Sequence, residues 1–215
     1  MIKRSLLVVL AFGGVAAPVR AQRETVLKQI AVPHNYYFRE MYLPQVTTGP
    51  GWVAWMPDGR AVVYSMAGTL WRQTLGSDAA TQLTDGPGYD YQPDVSPDGR
   101  RVVYSSYRSD QVELRVLDLG TGADAPLVSN EAVNLEPRWS PDGSKVAFVS
   151  TAFEGRWHVF TLDVQAGGAP VRITTDHDSK LPRYYYSVWD HFISPTWSPD
   201  GRDRKSTRLN SSHRP

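Results

Sequence analysis

The residues best equipped for chemistry lie in one stretch, between Thr174 and Pro195. It carries Asp176, His177 and Asp178, then Lys180 and Arg183, the run Tyr184, Tyr185 and Tyr186, and finally Trp189, Asp190 and His191. Carboxylates and an imidazole this close in sequence offer one kind of chemistry: Asp176, Asp178, Asp190 and His191 could in principle hold a cation. Aromatic faces mixed with both signs of charge offer another, contact with a ligand, a peptide or a neighbouring domain. The alternative is a loop that packs its own aromatics over a sheet edge or against a following domain. That alternative outweighs metal binding, so no metal site is assigned, and it balances domain contact about evenly.

Elsewhere the chain is poor in catalytic constellations. It has no G-x-S-x-G elbow, no H-x-H or H-E-x-x-H pair and no phosphate-binding loop. It has no cysteine, which excludes a disulfide framework, a thiolate zinc site and a cysteine nucleophile. His158 falls inside an apolar run and is expected to be structural. Four aspartates recur, but each sits in a Pro-Asp-Gly triplet: Pro57, Asp58, Gly59; Pro97, Asp98, Gly99; Pro141, Asp142, Gly143; and Pro199, Asp200, Gly201. Proline presets φ, aspartate bonds its own backbone, and glycine takes the left-handed conformation of a bulged hairpin. These carboxylates are therefore read as turn formers, not as a catalytic pair.

The triplets recur at spacings of 40, 44 and 58 residues. Each is preceded by a short apolar strand and followed by another, such as Ala61-Val62-Val63-Tyr64 or Lys145-Val146-Ala147-Phe148. A third strand comes next (Thr69–Arg72, Val112–Leu117, Trp157–Leu162), then a turn, then a short fourth strand at Gln82-Leu83-Thr84, Pro126-Leu127-Val128 and Arg172-Ile173-Thr174. Gln45 to Pro50 reads as one more fourth strand ahead of the first unit. Four short antiparallel strands at a period near 40 predict an all-β chain of β-propeller blades. Residues 43–202 hold three whole blades plus flanking strands, and rings take about four to eight blades, so the ring is expected to be incomplete. Trp55, Trp139 and Trp197 recur at one blade position, and Tyr64, Tyr104 and Phe148 at another; both columns are expected to form blade-to-blade core. The stretch from Thr174 to Pro195 is the third inter-blade connection. It spans 21 positions, against 9 for Thr84 to Pro93 and for Val128 to Pro137.

Both ends differ from this middle. Residues 1–21 have a basic start, an apolar run from Leu6 to Ala17, and Val19-Arg20-Ala21 before Gln22, the layout of a secretory signal peptide. Residues 22–42 form a lead segment. Residues 203–215 resemble a translated sequencing adapter and are expected to be a disordered tail, with the native reading frame leaving the sequence at Arg202. The whole chain of 215 residues has a net charge of +1, but residues 22–202 carry 16 bases and 21 acids, a net −5. Neither balance suggests a nucleic-acid partner. With 41% hydrophobic residues, a packed core is within reach.

The repeated P-x-W-S-P-D-G turn, the apolar-aromatic strand after it and the later L-T pair resemble the TolB-like, WD-repeat-like propellers of exported bacterial proteins. Met56 and Val95 depart from the pattern, both toward apolar residues. Two further stretches, Tyr36 to Gln45 and Leu181 to Trp197, resemble the N-terminal propeller of exported amidohydrolase-family proteins. The resemblance implies a periplasmic or secreted, non-catalytic binding or docking module ahead of a metal-dependent hydrolase domain. Any divalent metal then belongs to that domain, and this chain needs no cofactor. The expected partner is a protein, a peptide or the chain's own further domain, with no membrane span once the signal is cleaved. A stand-alone TolB-like accessory protein and the propeller of a prolyl-oligopeptidase-like serine peptidase are the other readings. Open blade faces would make the chain self-associate.

Overall fold

The computed structural model describes residues 49–178, 180 and 189–201, together with the strand backbone over 204–209. Three four-stranded antiparallel sheets follow one another along the chain. Blade 1 is β1 (Gly51–Trp55), β2 (Ala61–Met66), β3 (Thr69–Thr74) and β4 (Ala80–Gln82). Blade 2 is β5 (Tyr89–Val95), β6 (Arg101–Arg108), β7 (Gln111–Asp118) and β8 (Asp124–Val128). Blade 3 is β9 (Asn134–Trp139), β10 (Lys145–Phe153), β11 (Arg156–Asp163) and β12 (Val171–Arg172). A two-stranded sheet, β13 (His191–Trp197) with β14 (Arg204–Leu209), comes last. Each sheet is a simple meander. The first strands touch from blade to blade, β1 with β5, β5 with β9 and β9 with β13. They therefore crowd around a common axis, with the fourth strands outermost. Among the described residues the blades do not close a ring.

The Pro-Asp-Gly turns have the expected geometry. The residue before proline accepts from the glycine N–H at 2.8–2.9 Å in all four copies, and the glycines have φ between 67° and 70°. The aspartate Oδ1 accepts from the backbone N–H two residues on, at 2.9 Å in Asp58, 3.1 Å in Asp98 and 3.0 Å in Asp142. Where a serine precedes the proline, its hydroxyl donates to the same oxygen, 2.6 Å from Ser140 to Asp142, and accepts in turn from the strand that follows, 2.9 Å from Lys145 N. Bonds from Ser140 and Ser144 pull the Asp142 carboxyl down to about 2.

The core lies between blades. Ala54, Met56, Val63 and Leu70 of blade 1 meet Val95, Val102 and Tyr104 of blade 2. Val103, Leu114 and Val128 of blade 2 meet Trp139, Val146 and Phe148 of blade 3, where Phe148 also stacks on Phe160 at 5.8 Å between ring centroids. The leading side of each blade thus seats on the trailing side of the one before. Tyr64, Tyr104 and Phe148 are buried as expected. Trp139 is buried too, but Trp55 is 61% exposed. This corrects the expectation for the tryptophan column: the residue at that position packs on the preceding blade, and no described residue stands ahead of blade 1.

Two strand assignments also shift. The first and third fourth strands lie earlier than predicted, at 80–82 and 171–172. The threonine of the L-T pair leaves the ladder and substitutes its side chain: Thr84 Oγ1 accepts from Leu70 N and Thr174 Oγ1 from Val159 N, both at 3.0 Å. Over 204–209 the tail expected to be disordered instead pairs with β13 as β14. The edge of β13 offers unpaired backbone groups just after a hairpin turn, and an alternating sequence can occupy it with little regard to composition. The expected strand at 45–50 lies largely outside the described residues, and its last two residues, Gly49 and Pro50, are not in a strand. The signal peptide and the lead segment lie outside them entirely.

Candidate functional site

A meander sends its connections alternately to two ends. The Pro-Asp-Gly hairpins and the turns from third to fourth strand lie at one end. The hairpins from second to third strand and all connections between blades lie at the other, and the long third connection is among these. The first of the two shorter connections is tightly closed. Gly88 presses on the Arg108 and Ser106 side chains so closely that a Cβ there would clash with both. Arg108 in turn lies within 3.7–3.9 Å of Asp90, Glu113 and Asp124.

The third connection is tied down at both roots. At its start, Thr174 and Asp176 clasp His158, which is 1% exposed on β11. His158 Nε2 lies 3.1 Å from Asp176 Oδ1 and Nδ1 lies 3.0 Å from Thr174 Oγ1. A carboxylate only accepts, so Nε2 carries the proton and Nδ1 accepts from the threonine hydroxyl. Burial pushes the imidazole below the ordinary histidine range, against the opposing pull of Asp176. The ring stacks on Phe192 at 5.9 Å and meets Phe153 edge-on at 5.7 Å. The other Asp176 oxygen pairs with Arg156 at 2.9 Å, and Arg156 lies 5.7 Å from the Trp189 ring.

At the far root, Asp190 N donates to the His177 carbonyl at 2.8 Å, and His177 Nδ1 meets the buried Asp190 Oδ2 at 2.7 Å. Asp178 turns to Lys180, with Nζ at 2.6 Å. The candidate cation ligands are therefore spread over separate partners: Asp176 faces His158 and Arg156, Asp178 faces Lys180 and Asp190 faces His177, while His191 opens β13. Among the described residues no group of three or more His, Asp or Glu side chains is placed to hold a metal ion. Arg183, Tyr184, Tyr185 and Tyr186 lie outside the described residues. Removing the Thr174 hydroxyl tests the clasp. Thr174→Val should cost about 1–3 kcal/mol, because it strands the Val159 N–H and the acceptor on His158; amide exchange at Val159 should quicken in step.

One column of residues escaped the sequence reading. Trp52, Gln92, Glu136 and Ser194 all have left-handed φ, 38° to 53°, at a bulge in the innermost strand of successive sheets. Gln92 Oε1 accepts from Glu136 N at 2.9 Å, and Glu136 Oε2 accepts from Ser194 N at 2.5 Å. A side chain thus bridges blade 2 to blade 3, and blade 3 to the last sheet, beside the axis. The signal was available in the repeat register, since these residues stand five places before each Pro-Asp-Gly triplet and share its spacings. Trp52 is 46% exposed and, with Met66 and Tyr89, lines a shallow hollow at the connection end.

Meandering four-stranded blades, packed leading side on trailing side around a shared axis, define a β-propeller module. The sequence profile of the TolB beta propeller domain matches residues 47–202, so the chain belongs to that family. It is 28% identical over 157 residues to an uncharacterized protein of Agrobacterium fabrum, covering 70% of this chain and 52% of that protein. It is 29% identical over 115 residues to the uncharacterized peptidase YuxL of Bacillus subtilis, covering 51% and 16%. It is 31% identical over 83 residues to the Tol-Pal system protein TolB of Francisella tularensis, covering 38% and 19%. The chain therefore spans about half or less of the length of these relatives. Among solved structures it is similar to TolB from Acinetobacter baumannii, with a TM-score of 0.64 at 21% identity over 77% of this chain and 39% of that one. This likeness is one of fold.

Proposed function

We propose that the chain is the propeller of an exported bacterial protein and acts as a non-catalytic binding or docking module. Its working surface is the end that carries the inter-blade connections. The observation that supports this most is the third connection, which is 12 positions longer than the others yet anchored at both roots by His158–Asp176 and His177–Asp190. A connection of this length and aromatic content, held at its base, suits contact with a protein, a peptide or a following domain. In the favoured reading that following domain is a metal-dependent amidohydrolase. The resemblance to the peptidase YuxL supports a second reading, in which the propeller precedes a serine peptidase domain. The Tol-Pal resemblance supports an accessory protein that works through protein contacts.

Two measurements test this. Expressed with its leader in a Gram-negative host, the chain should mature by cleavage after Ala21 and reach the periplasm; an intact N-terminus in the cytoplasm would contradict export. Purified residues 22–202 should hydrolyse neither amide nor peptide substrates, and hydrolysis that survives rigorous purification would contradict the non-catalytic reading. The native sequence beyond residue 202 separates the alternatives: H-x-H after a strand indicates the hydrolase, G-x-S-x-G the peptidase, and an early stop the accessory protein.

A further inference from the structure

The sequence contains five Asp-Gly pairs. In such a pair the carboxyl group can react with the backbone of the next residue, because glycine has no side chain to keep its amide nitrogen away. Four of the five lie in the Pro-Asp-Gly hairpins, at 58–59, 98–99, 142–143 and 200–201. There both reacting groups are engaged. The glycine N–H donates to the carbonyl of the residue before proline in every copy. The aspartate Oδ1 accepts from the backbone N–H two residues on in Asp58, Asp98 and Asp142. It accepts from a serine hydroxyl in Asp98, Asp142 and Asp200. The fifth pair, Asp85-Gly86, stands in the first connection between blades, outside any strand. Asp85 is exposed. Among the described residues neither its carboxylate nor the Gly86 N–H makes a hydrogen bond.

From this contrast we infer that Asp85 is a site of spontaneous isoaspartate formation, the one Asp-Gly pair of the five that the fold leaves open to it. The Gly86 nitrogen attacks Cγ of Asp85. A bond from nitrogen to Cγ forms, and the N–H proton leaves with the carboxyl hydroxyl as water, closing a five-membered succinimide. Water then opens the ring. Attack at Cγ restores aspartate; attack at the main-chain carbonyl carbon of Asp85 leaves the chain running through the side-chain carbon, as isoaspartate. The steps need no oxidant, metal or enzyme. The flanks make the change felt. Thr84 Oγ1 accepts from Leu70 N at 3.0 Å on one side, and Gly88 is pressed against Arg108 and Ser106 on the other. Isoaspartate adds one main-chain carbon between these two fixed points, both of which belong to the seat of blade 2 on blade 1. This chemistry is independent of whether the connection end docks a partner.

The test uses the 215-residue chain and its Asp85→Glu and Asp85→Asn variants, incubated near neutral pH in water enriched in oxygen-18. Each ring opening leaves one heavy oxygen in the product, and fragment masses of the digested chain locate it. Asp85 is exposed and unbonded, so neither substitution should disturb the fold, and circular dichroism checks that. In the folded chain the label should enter at Asp85 first. A hairpin must open locally before its glycine nitrogen can react, so the other four sites should lag by about tenfold or more. In concentrated urea, where no hairpin protects, all five should label at similar rates. Asp85→Glu should abolish labelling at this position, because its ring would have six members. Asp85→Asn should label faster, because ammonia leaves in place of water. Labelling at Asp98 or Asp142 as fast as at Asp85 in the folded chain would overturn the inference. So would a folded chain in which Asp85 stays unlabelled while urea labels it, since the fold would then protect this pair too.

Discussion

Phe148→Ala should cost about 3–5 kcal/mol of stability, the largest effect expected of any single truncation in the chain. Phe148 is fully buried between blades 2 and 3, stacked on Phe160 and packed in one cluster with Val103, Leu114 and Trp139. Its removal forfeits the transfer of a large aromatic side chain and leaves a cavity that the surrounding strands cannot close without breaking their ladders. Urea denaturation of the parent and the variant reads the effect directly. A loss under about 1 kcal/mol would mean that the blades do not pack in the way described.

The second large effect depends on pH. Asp94 Oδ2 accepts from Trp139 N at 2.7 Å and so bridges blade 2 to blade 3. Burial pushes its carboxyl up to about 6, more than the Trp139 bond and Arg138 pull it down. A carboxyl raised in the folded state is protonated there before it is in the unfolded chain. Its ionisation therefore penalises folding above pH 6, and the penalty disappears as the pH falls toward the ordinary carboxylate value near 4. The shift corresponds to roughly 2–3 kcal/mol. Asp94→Asn keeps an acceptor for Trp139 N without the charge. The variant should be more stable than the parent at pH 7–8 by an amount of that order, and the difference should vanish near pH 4. A variant less stable at pH 8 would show that the negative charge itself holds the two blades together. The turn carboxylates run the other way: Asp142, held near 2, supports its hairpin above the ordinary carboxylate value and gives up that support as the pH falls through about 2.

The parts of the fold that repeat were legible in the sequence. Pro-Asp-Gly fixes a hairpin by local chemistry, and three apolar runs at constant offsets fix three strands, so the blade could be read without tertiary information. The fourth strands were harder because a threonine hydroxyl can stand in for a backbone acceptor. Thr84 and Thr174 end the ladder while still bonding to it, and no local pattern distinguishes those roles. The exposure of Trp55 could not be read from its type, since the same residue at the same blade position is core or surface according to what stands ahead of it. At the candidate site, the aromatic and charged content of the third connection was evident, but its pairings were not. Asp176, Asp178 and Asp190 look alike in sequence; Asp178 meets Lys180 two residues on, whereas Asp176 reaches His158 and Asp190 reaches His177 only through the fold. The bulge column of Gln92, Glu136 and Ser194 was missed because its residues share a conformation and a register, not a residue type.

If the gene proves to encode a longer protein, the claim that the connection end is a docking surface is tested most directly by hydrogen exchange on residues 22–202, alone and within that protein. The expected result is slower exchange in the longer protein across 174–191, with the Pro-Asp-Gly hairpins at the opposite end unchanged. Exchange that slows at those hairpins and not across the third connection would contradict the assignment of the working surface.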